Sequence, residues 1–267
     1  MRDTTKAVPF VPAARAVFGL ALDGMLWSRR SFVMALLLGI PVVIAIVFRA
    51  VVAAHVPAEI TGYKLYGVLV AMFWVRNALP LVALFYGTAL IADEVEGKTL
   101  TYLVSRPVPR SAILTGKFAA YVVTTLCLAL PSMVLTFFIL ASTEGSTLAG
   151  SVPDLFRDLG VLALTLLVYG ALFTLFGVLL RWPLILGLLF LFFWELIANL
   201  PGYMPRFTVT AWLRSLIGHR PPGRGMSEVF GQVLPVGLSL GVVCVLTVVF
   251  LGLAIWIFSR REYVLDQ

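Results

Sequence analysis

The residues best placed to do chemistry lie between Ile91 and Lys117, in the stretch IADEVEGKTLTYLVSRPVPRSAILTGK. Three carboxylates open it (Asp93, Glu94, Glu96), Gly97 makes a turn, and a short amphipathic run follows from Thr99 to Val104. Pro107 and Pro109 end that run, because each lacks a backbone donor and restricts the residue before it. Arg110 and Lys117 then flank Ser111, a suitable N-cap for the next apolar helix. The chemistry of such a stretch is recognition: apolar knobs at Leu100 and Leu103, with Glu94, Glu96, Arg106 and Arg110 as charges that set register. A connector between two apolar runs could be far shorter and far less specified, so this one reads as a docking loop. Its bland alternative is a connector that hugs the membrane with ordinary interfacial charges.

Two further polar groups interrupt otherwise apolar runs. Glu195 has Asn199 one turn later on the same helix face. A carboxylate inside a membrane is expensive and therefore faces protein or water. Glu195 either lines the outer end of a translocation path or is a helix-end carboxylate paired with Arg76 or Arg206. Arg76 and Asn77 form the second interruption. They read as an anchor at the outer interface, with a direct role on a substrate as the alternative.

The elements that must position these residues follow from composition. Apolar residues make up 61% of the 267 and charged residues 12%, and the mean hydropathy is +1.02. An ordinary soluble domain has roughly 45–50% and about 25%. Period-two alternation is absent, and lipid offers no partner to a bare backbone, so the long apolar runs are helices. The expected fold is an all-α integral membrane protein, one domain over 1–267, with spans near 32–54, 72–92, 118–141, 159–180, 184–200 and 233–258. Ahead of the first span, Ala13 to Trp27 reads as an interfacial helix. The first apolar run starts late and is long, so it reads as a retained span and not a cleaved signal. Residues 93–117 form the loop between spans two and three, and 201–232 an outer segment with a helix or re-entrant piece at the interface. Arg181-Trp182-Pro183 is a tight turn with Pro183 in the first turn of the fifth helix.

Six spans put both termini on one side. With the N-terminus inside, twelve of the 20 Lys and Arg fall on inner segments, at 2, 6, 15, 29, 30, 98, 106, 110, 117, 181, 260 and 261. That assignment favours cytoplasmic termini and a cytoplasmic 93–117 loop. The net charge of +7 then follows from topology and anionic lipid, and no nucleic-acid partner is implied. Cys127 and Cys244 lie in separate apolar runs and read as packing residues, without a disulfide or metal inference. Gly237-x-x-x-Gly241 fits close helix packing in the last span. No Walker-type phosphate loop is present in the sequence.

The order of residues in the loop resembles the permease subunit of ABC-2 type exporters. The resemblance rests on Glu94 or Glu96, Gly97, Thr99, Leu100, Leu103, Ser105, Pro107, Val108, Arg110, Gly116 and Lys117. It implies that a short coupling helix between spans two and three seats on a separate ATPase subunit. The coupling residues would be Glu94, Glu96, Gly97, Thr99, Leu100, Leu103, Arg106, Pro107, Arg110 and Lys117. The path residues would be Glu195, Asn199, Arg76 and Asn77. By the same resemblance, a second copy or a paralogue and two ATPase subunits complete the assembly in the inner membrane of a prokaryote. ATP and magnesium would sit on the partner, with no cofactor, metal or catalytic residue on this chain.

Two rival classes were weighed against that reading. An intramembrane protease or lipid-modifying enzyme is hinted at only by Asp93-Glu94, and His55 and His219 fall on the opposite side from those acids. A secondary transporter would want ionisable residues deep in several spans and inverted repeats.

Overall fold

The computed structural model describes residues 9–54, 61–96, 109–141, 148–194, 197, 204–218 and 235–260, and every regular element among them is a helix. α1 is Phe10–Leu26 and α2 is Arg29–Ala53, capped by Ser28, whose side chain accepts from the Ser31 amide. α3 (Gly62–Val68), a π-helical segment (Leu69–Ala78) and α4 (Leu79–Glu96) follow one another with helical backbone at both junctions. α5 is Arg110–Ala141 and α6 is Leu148–Leu179. α7 (Pro183–Leu189) passes into a π turn at Phe190–Trp194. α8 is Val209–Leu216 and α9 is Val236–Arg260.

Five helices are long and apolar enough to cross a membrane: Arg29–Ala53, Gly62–Ile91, Arg110–Ala141, Gly150–Leu179 and Val236–Arg260. The fifth expected span, 184–200, is represented by the shorter apolar helix Pro183–Trp194. At 1.5 Å per residue it reaches about 18 Å, against about 30 Å of hydrocarbon. Pro183 does occupy its first turn, after Trp182.

Several expected boundaries move. The second span begins at Gly62 and not near residue 72. Its first turns, GYKLYGV, look like connector because of two Gly and a Lys, yet the Thr61 side chain caps them by accepting from the Lys64 amide. The third and fourth helices begin at Arg110 and Leu148, well before the apolar cores at 118 and 159. Polar first turns project beyond the hydrocarbon and are invisible to a hydropathy reading. Ser111 consequently lies inside α5, and the Pro109 carbonyl accepts the amides of Ala112 and Ile113 instead. Cys127 and Cys244 are exposed, not packed. Gly237 and Gly241 have open space where a Cβ would stand, so they mediate no close packing within the chain.

Close packing is found where α4 meets α6. A Cβ on Gly87 would lie 3.0 Å from the Phe173 Cβ and 3.3 Å from the Gly170 carbonyl, and one on Gly177 would lie 3.0 Å from the Thr88 carbonyl. In lipid there is no hydrophobic force between helices, so such small-residue contacts, which let backbones approach, hold the pair. α5 joins through Tyr121, which is fully buried and donates to the Leu166 carbonyl at 2.8 Å. Its ring fills the space beside Gly170, where a Cβ would stand 2.2 Å from Cε1.

The opposite end of the bundle from the 97–108 loop is tied by polar groups. Tyr63 donates to Asp154 at 2.5 Å, and buried Tyr66 lies against buried Asp158. α8 runs antiparallel along α6: the Thr210 and Tyr169 hydroxyls are 2.8 Å apart, and Arg157 Nε donates to the Leu216 carbonyl at 2.7 Å. Ser215 donates to Ser239 at 2.7 Å, which fastens α8 to α9. A helix therefore does form within 201–232, and it is packed into the bundle.

Gly170→Ala should lower stability by about 1–3 kcal/mol, since overpacking a filled site forces backbone or rotamer shifts. Thermal unfolding in detergent reads this, and Tyr121→Ala should remove most of the penalty. An unchanged midpoint for Gly170→Ala would contradict the packing described.

Candidate functional site

The two helices that flank the 97–108 loop, α4 and α5, are clamped together just inside the membrane. Lys117 stands two turns into α5, and its Nζ donates to the Leu90 carbonyl at 2.8 Å, two turns before the end of α4. An ammonium that donates to a helix carbonyl near the C-terminal end also meets the negative end of the helix dipole. The clamp fixes the base of the loop, so a force on the loop acts on both helices together.

Gly116, beside Lys117, has a second task. A Cβ there would lie 2.5 Å from the Ala14 carbonyl, 3.1 Å from the Val17 Cβ and 3.3 Å from the Phe18 amide. These are largely backbone atoms of α1, which cannot yield by a rotamer change. Glycine at 116 is thus what allows α1 to lie directly on α5, and that contact is among the most extensive in the fold. Ala13 is buried in it at 4% exposure, while Trp27, at the far end of α1, is 92% exposed.

Of the expected docking residues, Arg110 is half-buried at the first position of α5. Glu94 and Glu96 lie in the last turn of α4. Gly97, Thr99, Leu100, Leu103, Arg106 and Pro107 lie outside the described residues, as do Glu195 and Asn199 of the expected path.

Arg76 and Asn77 are described, and their place differs from expectation. They fall in the π segment, midway along Gly62–Ile91, not at an interface. From Tyr63 to Arg76, and from Arg76 to Leu90, is about 20 Å each way at helical rise. Asn77 is exposed and Arg76 half-exposed, while Trp74 and Val75 beside them are fully buried. Asn77 donates to the Met72 carbonyl at 2.6 Å, five residues back, which occupies one acceptor in the widened turn. π segments appear often at functional sites. A polar face at membrane depth requires protein or water opposite it. Sequence reasoning misplaced this pair because it counted the span back from Ala92 and took the cap at Thr61 for loop.

Sequence reasoning also missed the Tyr63, Tyr66, Asp154 and Asp158 group with Arg157. A signal was present: Tyr63 and Tyr66, and Asp154 and Asp158, recur at helical spacing at the starts of two spans.

A chain of membrane-length helices, with ionisable groups confined to their ends and one mid-span pair, is a multi-pass membrane protein. The family model described as ABC-2 family transporter protein matches residues 50–263, and the chain belongs to that family. It is therefore a membrane transport permease, of a kind that works with ABC ATPase partners. No curated protein matches the chain.

Gly116→Val should detach α1 without disturbing the α4–α6 pair. Hydrogen exchange across residues 10–26 should quicken by at least tenfold, the equivalent of about 1.4 kcal/mol of local stability. Exchange across 161–178 should be unchanged. Equal protection of α1 in both proteins would remove the seat assigned to Gly116.

Proposed function

We propose that this chain is the membrane-spanning subunit of an ATP-driven exporter, worked by a separate ATPase through the 93–117 loop. The family match over residues 50–263, which includes the whole of that loop, is the observation that carries this reading. The loop contains a short coupling helix whose knobs Leu100 and Leu103 enter a groove on the ATPase. Glu94, Glu96, Gly97, Thr99, Arg106, Pro107, Arg110 and Lys117 set its shape and register. The Lys117–Leu90 clamp supports the mechanism: a push on the loop moves α4 and α5 as one body, and the glycine contacts of α4 pass it to α6.

Residues 184–200 complete a sixth span, both termini and the loop are cytoplasmic, and α1 lies along the inner membrane surface. Two copies of this permease, or one copy and a paralogue, enclose the path with two ATPase subunits in a prokaryotic inner membrane. Arg76 and Asn77 face that path near its midpoint, and Glu195 and Asn199 lie towards its outer end. The mid-depth position of Arg76 and Asn77 on an exposed helix face supports their role. Few charges lie along the presumed path, which suits an apolar or amphipathic cargo. ATP and magnesium belong to the partner, and this chain supplies no catalytic residue, cofactor site or metal site.

Leu103→Asp would place an unpaired charge in the partner's groove at a cost of roughly 1–3 kcal/mol or more in association. Arg110→Glu would reverse a register charge, with a loss that depends on salt. Both variants should insert and accumulate in the membrane yet fail to co-purify with the ATPase, Arg110→Glu most clearly at low salt. Co-purification of both at wild-type level would overturn the docking role.

A further inference from the structure

A cavity of ≈ 270 Å³ lies between the end of α1, the start of α2 and α4, lined by Gly24, Met25, Ser28, Arg29, Arg30 and Tyr86 among others. Nothing in the coupling mechanism uses it. Its residues 24–30 also precede the family-matched range of 50–263. The floor is a closed set of hydroxyls. Ser28 Oγ donates to the Met25 carbonyl at 2.9 Å and lies 3.0 Å from Ser31 Oγ, which is 2.5 Å from the Tyr86 hydroxyl. The charged groups are Arg29 and Arg30, both exposed, and no carboxylate lines the cavity. Guanidinium groups carry five donors each and no acceptor, and their planar fork matches phosphate oxygens. The site asks for an anion rich in acceptors.

The surroundings decide between a soluble anion and a lipid. The cavity is slightly smaller than the roughly 300 Å³ at which sites for whole drug-sized ligands begin. It holds a headgroup and leaves any longer part of the ligand outside. Directly along α2 from Arg29 run Val33, Leu36 and Ile40, at i+4, i+7 and i+11 on one face. They are 54%, 69% and 41% exposed. Trp27 stands beside the mouth, as interfacial tryptophans do at headgroup level. A charged mouth that opens onto an apolar stripe of a membrane-length helix has the layout of a phospholipid.

We propose that this cavity binds an anionic phospholipid, its phosphate between Arg29 and Arg30 and one acyl chain along Val33, Leu36 and Ile40. The proposal rests on the membrane-spanning reading of α2 and not on the ATPase, the substrate or the docking loop. A lipid seated there bridges α1, α2 and α4, close to the clamp at Leu90, so its occupancy stiffens the end of the bundle that receives the push.

The test is native mass spectrometry of the purified chain, released from mixed micelles that contain equal phosphatidylglycerol and phosphatidylcholine. Wild type should retain phosphatidylglycerol preferentially. The double variant Arg29→Gln/Arg30→Gln should lose that preference by about thirtyfold, from the attraction of an arginine near an anionic lipid surface. Gly24→Phe fills the cavity without a change in charge, and a Cβ at 24 meets nothing within 4 Å, so the fold is undisturbed. It should lose the lipid as well. Arg181→Gln, at an exposed arginine outside the cavity, should retain it. Equal retention of the two lipids by wild type, or unchanged retention in both cavity variants, would overturn the proposal; a second copy docked on this face of α2 would give the first result. Displacement of the lipid by millimolar inorganic phosphate would show a free-anion site and overturn the assignment to lipid.

Discussion

The structure depends on the approach of two helix backbones, α4 and α6, through Gly87, Gly170 and Gly177. In water such a pair would be driven together by burial of apolar surface. In hydrocarbon the surroundings are as apolar as the side chains, so association must come from contact and hydrogen bonds. A Cβ 3.0 Å from a facing carbonyl, as at Gly177, states how little room there is. Other helices are placed by reference to this pair. α5 inserts Tyr121 beside Gly170, and α8 lies along α6 from Tyr169 to Arg157. α1 in turn rests on α5 at Gly116.

The two ends of the bundle are held by different chemistry. At the end that carries the docking loop, the tie is one cation on one backbone carbonyl, Lys117 on Leu90, with α1 laid across α5. At the opposite end, buried tyrosines meet buried or partly buried carboxylates, and Arg157 holds the last carbonyl region of α8. A few well-placed polar contacts near helix ends suffice, because the glycine contacts between them already fix the helix spacing. The division suits a transporter. One end must transmit a push as a unit, and the other must hold the starts of several helices in a common frame.

Fold class was legible from composition alone, since continuous apolar runs in lipid admit only helices. The helix starts were not. GYKLYGV and the polar turns before Phe118 and Leu159 carry charge, Gly or Pro, and hydropathy reads them as loop. In the structure they are helical because a cap or a proline carbonyl satisfies their first amides, as at Thr61 and Pro109. That error carried Arg76 and Asn77 from mid-depth to an interface. The Gly-Lys pair at 116–117 was legible as a motif but not as a contact. Whether a glycine serves a turn or a helix crossing depends on what stands opposite, as the open surroundings of Gly237 and Gly241 show. The docking residues 97–107 were legible only as a pattern of knobs, turns and charges.

The central claim is that residues 97–104 touch an ATPase subunit directly, and the clamp at Lys117 exists to receive what that contact delivers. The most direct measurement places a photo-reactive amino acid at position 100 or 103 in native membranes and identifies the cross-linked polypeptide. The account predicts one dominant adduct, an ABC ATPase, formed from positions 100 and 103 and absent from position 185 on the exposed face of α7. Cross-links from 100 and 103 to lipid alone, or to no ATPase, would contradict it.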